Sequence, residues 1–556
     1  MTLLRTLLVL LCCMTAAAQA QQVDDYERID LRVISVQANG RVGVDHGSSD
    51  GLAVGDMVLF FPRDGGTFGG NVSEVNQRGA SVELMDPGAE LPLGTRGQAL
   101  VPRARLQPAV EDTELQPAAP ELLDLPWSNS DSEWSSTMPL LSNDETVRPE
   151  DRMRRIRGRL YMTADSRYTS FEDRLDSFYR VGQDLSFENP FGRGGGLNLD
   201  TEQNFRRYLA KDGDEEDRSE LRIDRLSYSL GGTRFDPTRI EGGRFLQHGM
   251  PEFGVVDGAE IGRRLSNGDH VGASVGYMPD PLDNFETGED LQVSAFYRFV
   301  ADEGELFTLA GGYQKSFHEG DSDRDLFLAQ VRYLPTDAWQ FHGTAWIDHY
   351  GSGEDAKGAE FALTQAILLA QRRWTTGNGL SFTYNRSTFP EIERQEFLAV
   401  APTQVARDHH DRLAARAWRW MGKDHKLHSS LGGWSDEDES GADGEFGLEA
   451  HGFLLSNGYT DVTVFGTEGR FESIVGGRVT LASNSAGPAW SLMYEGARVD
   501  VDGALLSPAD DLFQHRVRAN KDWYASNGFV LSTYAESFFW DEEDSWMLGF
   551  HMQRSF

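Results

Sequence analysis

From about Arg155 to Phe556 the chain repeats short segments whose side chains change character at every second residue. Val271, Ala273, Val275 and Tyr277 stand against His270, Gly272, Ser274 and Gly276. Leu291, Val293, Ala295, Tyr297 and Phe299 oppose Gln292, Ser294 and Arg298. Phe327, Ala329, Val331 and Tyr333 oppose Gln330 and Arg332; Trp339, Phe341, Gly343, Ala345 and Ile347 oppose Gln340, His342, Thr344 and Asp348. A period of two puts each set on one face of a strand. One face suits an apolar environment and the other a wet one. No stretch beyond the first twenty or so residues approaches about eighteen continuous apolar positions, so a membrane-spanning helix is not expected. A membrane wall built of strands stays open, because its hydropathy signal per segment is far weaker.

The zone holds about 22 candidate strands, within a range of about 18–22, at about 18 residues per strand and connection. Alternation is least regular over Arg155–Phe187 and Arg239–Arg263. The final segment carries Trp546, Leu548, Phe550, Met552, Arg554 and Phe556 on one parity, and Met547, Gly549, His551, Gln553 and Ser555 on the other. This aromatic ending resembles the insertion signal of bacterial outer-membrane β-barrel proteins, with Phe550 and Phe556 as its aromatic positions. The resemblance implies an all-β fold whose larger part is an antiparallel transmembrane β-barrel. It also implies delivery by barrel-insertion machinery and contact with outer-membrane lipid and lipopolysaccharide.

The connections fit that reading. With Phe556 on the periplasmic side, every second connection counted backwards faces outward. Those include Asp541-Glu542-Glu543, Asp436-Glu437-Asp438-Glu439, Gly351–Lys357, His318–Arg324, Pro279–Glu289 and Lys211–Arg218, all acidic. The intervening ones are tight turns such as Ser526-Asn527-Gly528, Gly422-Lys423-Asp424 and Ser266-Asn267-Gly268. Outer-membrane barrels have this asymmetry. Gly242-Gly243-Arg244-Phe245, followed by Val256-Asp257-Gly258-Ala259-Glu260, is similar to a strand pair of porin-type barrels. There Arg244 is placed to pair with Asp257 or Glu260 within the wall.

Three further zones precede the barrel, 155–556. Residues 1–20 read as a signal peptide, with Arg5, an apolar run from Leu7 to Met14, and Ala18-Gln19-Ala20 at the cleavage site. Both cysteines, Cys12 and Cys13, lie in that segment, so the mature chain has no disulfide to draw on. Residues 24–105 carry short β-rich runs such as Ile29–Ile34 and Arg41–Val44, and the element Gly47-Ser48-Ser49-Asp50-Gly51-Leu52-Ala53-Val54-Gly55-Asp56. This zone resembles the small SH3-like barrels appended to bacterial envelope proteins. Such a periplasmic domain would meet a periplasmic protein or the cell wall. Residues 106–152 are rich in Pro, Ser, Asp and Glu and read as a flexible linker, with Trp127 and Trp134 as its unusual aromatics.

The formal charge of −36 argues against a nucleic-acid surface. The lumen candidates are instead basic and polar: Arg298, Gln330, Arg332, Arg412, Arg416, Arg516 and Arg518. Rings of such side chains attract anions. The competing reading pairs the lumen arginines with acids such as Asp224, Glu495, Glu536 and Asp522. His409-His410-Asp411 is the densest cluster a hydrolase would use, but neighbouring histidines on a strand point to opposite faces. No serine elbow, HExxH motif or cysteine pair accompanies it, and no EF-hand loop is present. No enzyme, metal or cofactor is expected.

The sequence therefore predicts a porin-like outer-membrane channel for passive diffusion of small polar or charged solutes. The alternative is an outer-membrane anchor or an export or assembly component whose N-terminal domain docks a periplasmic partner. About 22 strands enclose a wide lumen, so something should fill it. The Glu391–Asp408 connection, the linker and the N-terminal domain are the candidates.

Overall fold

The structure, a computed structural model, describes residues 26–102, 105 and 148–556, apart from short connections and longer stretches at 350–360, 389–408 and 502–511. The expected signal peptide, most of the linker with Trp127 and Trp134, and the Glu391–Asp408 connection lie outside the described residues.

The alternating zone forms 22 antiparallel strands, from Arg155–Thr169 to Glu543–Ser555. Each pairs with its neighbours in sequence, and the last pairs with the first. Closure satisfies every ladder without leaving an edge, which a strand wall in lipid requires. Phe556 completes the seam. Its N–H donates to the Gly158 carbonyl at 2.9 Å, and its own carbonyl accepts from the Gly158 N–H at 3.1 Å. The even strand number brings both ends of the wall to one rim. Strand ends alternate between rims as the sequence suggested: Arg264 and His270, Met421 and His425, and Tyr524 and Phe529 fall at the rim holding Phe556, and Pro279 and Thr287, His349 and Phe361, and Thr388 and His409 at the other.

The outward parity is apolar around the circumference. Leu226, Ile261, Val275, Val293, Phe327, Leu368, Leu413, Val464, Leu492 and Leu548 are all exposed. The inward parity holds buried polar residues, among them Ser274, Gln292, Ser294, Thr344, Thr463 and Gln553. An apolar belt of this extent on a closed sheet is explained by lipid contact. The irregular segment Arg155–Phe187 lies in two strands of fifteen residues each, Arg155–Thr169 and Arg174–Glu188. Arg239–Arg263 falls on two shorter strands, Thr238–Leu246 and Val255–Arg264, joined by a connection that turns into the lumen.

The N-terminal zone is a second closed antiparallel barrel of six strands: Tyr26–Val36, Arg41–Val44, Met57–Phe61, Phe68–Val75, Ala80–Leu84 and Arg96–Pro102. Val33, Val44, Val58, Phe60, Val82 and Val101 form its core and are almost wholly buried. The Gly47–Asp56 element is a chain of side-chain-closed turns. Asp50 accepts from the Gly47 N–H at 2.9 Å and Asp56 from the Ala53 N–H at 2.8 Å. Gly51 (φ 84°) and Gly55 (φ 103°) take the left-handed geometry that turns of this kind need.

This small barrel lies inside the large one. The sequence placed this domain on the periplasmic side and also offered it as one of three lumen fillers; the structure docks it against the inner face of the wall. Its contacts run from Glu449 and Tyr459, near the Phe556 rim, to Arg412, towards the far rim. The physical reason is the one that called for a filler: a wall of 22 strands encloses far more space than its own side chains fill.

Candidate functional site

The docking surface is built from strands whose inward parity is charged rather than merely polar. On one side, Asp200 of the strand Gly196–Leu209 receives both Arg32 and Arg96, the latter at 2.6 Å. Arg32 also reaches Asp184 at 3.0 Å, and Asp45 pairs with Arg159. On the opposite side, Arg41 meets Glu449 at 2.9 Å and its guanidinium donates to the Tyr459 hydroxyl at 2.6 Å. Glu83 sits among Arg416, Lys426 and Arg41. Asp86 accepts from Arg412 at 3.1 Å.

These pairs are desolvated, so each partner depends on the other. Burial alone would push the Asp45 carboxyl up, but Arg159 and His46 outweigh it and hold it well below the usual carboxylate range. Glu83 follows the same pattern: burial raises it, while Arg416, Lys426 and Arg41 bring it well below. His46 is drawn the other way. Burial would lower it, and Asp45 raises it to about 9.

One apolar contact joins the charged ones. Ile367 and Leu369 face inward from the strand Phe361–Arg373 and pack on Met85, with Met57 and Leu59 alongside. Gly69 makes this approach possible, since a Cβ there would stand 2.9 Å from a Leu369 methyl. Burying a side chain of this kind contributes about 1.5–3 kcal/mol.

The rest of the lumen is narrowed by the wall itself. The connection 247–254 folds inward, and Met250 and Phe253 pack beneath Phe296, Ala310, Leu328 and Trp346. Gly312 leaves them room: a Cβ there would lie 2.5 Å from Phe253 and 2.6 Å from the Met250 sulfur. The Gln247 carbonyl oxygen accepts from the hydroxyls of Ser274, at 2.5 Å, and Ser294, at 2.9 Å. Between this connection, the small barrel and the wall strands near the Phe556 rim lies a cavity of about 980 Å³. Arg28, Arg155, Arg157, Asp30, Asp50 and Gln98 are among its lining residues, and it extends to Ser555 and Phe556 at the rim.

The sequence-predicted lumen residues divide into three groups. Arg298 donates to the Gly249 carbonyl at 2.6 Å, Gln330 to Glu252 at 2.5 Å, and Arg332 reaches Glu305 at 3.3 Å; these hold the inward connection and a neighbouring turn. Arg412 and Arg416 hold the small barrel, Arg416 also donating to the Leu84 carbonyl at 2.9 Å. Arg516, at 3.1 Å, and Arg518 share Glu536 within the wall. Arg244 is paired with Asp257 at 2.5 Å, and Glu260 lies further along the same strand, in register with Glu241 and Ser274. Of the four acids considered as arginine partners, Asp224 is met by Arg222, Glu495 by Arg478 and Glu536 by its two arginines. Among the described residues Asp522 has no cationic partner. His409 and His410 open the strand His409–Met421 on opposite faces, and Asp411 is taken by Tyr384 and Arg386.

Sequence reading missed the docking residues Arg32, Arg41, Asp45, Glu83, Ile367 and Leu369. One signal was available for the last two. Ala366-Ile367-Leu368-Leu369 is apolar on both parities, as a strand covered on both faces is.

No family model matches the chain, and no curated protein matches it. Solved structures do. The P pilus usher (PapC) translocation pore aligns at 9% identity and a TM-score of 0.46, over 72% of this chain and 99% of that one. Pseudomonas aeruginosa OccK7 (OpdD) aligns at 10% identity and a TM-score of 0.38, over 72% and 98%. Acinetobacter baumannii OccAB4 aligns at 8% identity and a TM-score of 0.34, over 74% and 100%. At these values none of the likenesses transfers an activity to this chain.

Proposed function

We propose that the chain is a porin-like channel of the Gram-negative outer membrane, passing small polar or charged solutes by passive diffusion. The observation that carries this reading is a closed wall, apolar outside and polar inside, whose filled lumen still holds a polar cavity of about 980 Å³ reaching one rim. The solute path follows that cavity, between the small barrel and the wall, rather than the centre of the large barrel. The small barrel is SH3-like and acts as a resident plug. Phe550 and Phe556 serve as the signal to the insertion machinery, and the apolar belt meets lipid and lipopolysaccharide.

Single-channel recording in planar bilayers tests this. The full chain is expected to conduct in small steps. A chain lacking residues 24–105 is expected to conduct in much larger ones. Equal steps in the two would place the path elsewhere. Silence in both would overturn the channel and favour an envelope anchor or export component whose small barrel docks a periplasmic partner.

A further inference from the structure

Asp522 lies on the inward face of the strand Leu512–Tyr524, opposite Ser532 in register. It is 4% exposed, and its Oδ1 has no hydrogen-bond partner among the described residues. A carboxylate in this position is costly unless something positive or hydrogen-bonding meets it. The nearest cationic side chain on the same inward row, Arg518, is committed to Glu536, and Lys521 points to the opposite face.

The space beside Asp522 is not a simple packing gap. It is a cavity of about 340 Å³ at the junction of the two barrels. That volume falls within the range of small-molecule pockets, about 300–1,000 Å³. Its walls differ in chemistry. The small barrel contributes Ile34, Val36, Leu91 and Leu93, an apolar surface, together with Ser35, whose hydroxyl is also without a partner. The large barrel contributes Asp522 and the hydroxyl of Ser532, flanked by Asn520, Tyr534, His551 and the Arg518 already engaged by Glu536. One buried acid facing an apolar wall is the complement of an alkyl chain bearing one cationic head.

We propose that this cavity is a binding site for a small organic cation, a primary ammonium on a short apolar body. The ammonium donates to Asp522, with Ser35 and Ser532 as further acceptors, and the apolar body lies on Ile34, Val36, Leu91 and Leu93. The ligand bridges the two barrels, so its occupancy strengthens the seating of the small barrel. The inference rests on Asp522 and its surroundings and does not depend on the transport reading.

The test uses the full chain in detergent at pH 8, with n-butylamine as probe and 1-butanol as its neutral counterpart. Calorimetric titration and the thermal unfolding midpoint are read together. Butylamine is expected to give saturable binding and to raise the midpoint, while butanol at equal concentration does neither. Asp522→Asn keeps the shape and removes the charge, so it is expected to fold with an unchanged or higher midpoint and to lose butylamine binding at least tenfold. Ser35→Ala is expected to weaken it less. Equal responses to butylamine and butanol, or butylamine binding undiminished in Asp522→Asn, would overturn the proposal and leave a water-filled space.

Discussion

Arg41 of the small barrel and Glu449 of the wall meet at 2.9 Å, with side chains only 6% and 5% exposed. Two charges so far from water are held chiefly by each other, and removing one leaves Arg41 to the more distant Glu83, or Glu449 to Lys426 and His451 on its own wall. Glu449→Ala or Arg41→Ala is therefore expected to destabilise the docked state by about 3–5 kcal/mol. A calorimetric scan reads this as an earlier unfolding of the small barrel, and bilayer recording reads it as frequent large openings. Replacing both partners together, Arg41→Met with Glu449→Leu, is expected to recover most of the loss. A single variant that scans and conducts like the parent would refute the docking.

Leu369 supplies the apolar half of the same attachment. It is 4% exposed and faces Met85 across the junction. Leu369→Ala removes that contact and leaves a void, at a cost of about 2–5 kcal/mol where the surroundings do not collapse. Because Leu368, its neighbour, faces outward and is half exposed, Leu368→Ala is the control. Proteolysis of the small barrel in the intact protein should accelerate in the first variant and not in the second. Equal rates in the two would contradict the assignment.

The Asp45–His46 pair, both members on the small barrel, makes the stability of the folded protein pH-dependent in a defined direction. His46 is raised from its ordinary value near 6.5 to about 9 by Asp45, against the opposing effect of burial. Its contribution is thus complete below about pH 6.5 and is lost as pH rises through about 9. Asp45, held below the ordinary carboxylate value by Arg159 and His46, contributes fully above about pH 4 and is lost only in stronger acid. The unfolding midpoint of the parent should fall between pH 6.5 and 9.5 more steeply than that of His46→Gln. Parallel curves would dismiss the pair as a contributor.

Phe556 closes the seam by two backbone hydrogen bonds to Gly158, whereas its ring is exposed on the outward face. The two roles separate by mutation. Deleting Phe556 removes both bonds, each worth about 0.5–1.5 kcal/mol net, and should lower the unfolding midpoint of the refolded barrel. Phe556→Ala keeps the bonds and should leave that midpoint close to the parent, while reducing the amount of barrel assembled in cells. Normal assembly of Phe556→Ala would remove the insertion role from this residue.

The wall could be read before it was seen because alternation is local. Val275, Val293 and Phe327 announce their face through neighbours two residues away, and each tight turn restarts the pattern. Breaks in alternation carried a further signal that the sequence reading did not use. Phe296, Leu328 and Trp346 are large apolar residues on the inward parity, and each covers the infolded 247–254 connection. The pairing of Arg244 with Asp257 lay within reach for the same reason, since adjacent strands set the two residues opposite each other.

The filled lumen was a different matter. The sequence called for a filler and offered three, but no pattern within Tyr26–Pro102 tells whether that small barrel stands inside or beyond the large one. Its own core, which includes Val58, Phe60 and Val82, would look the same in either place. The contacts that decide the question join residues far apart, 408 positions in the case of Arg41 and Glu449. Charged side chains on a small barrel read as ordinary surface, and inward arginines read as pore lining, until both are known to face each other. By itself the sequence determined a wall of about 22 strands with an apolar outside, because a period of two is imposed residue by residue. Only the tertiary structure decided what occupies the lumen, because desolvated charges find their partners through space and leave no periodicity along the chain.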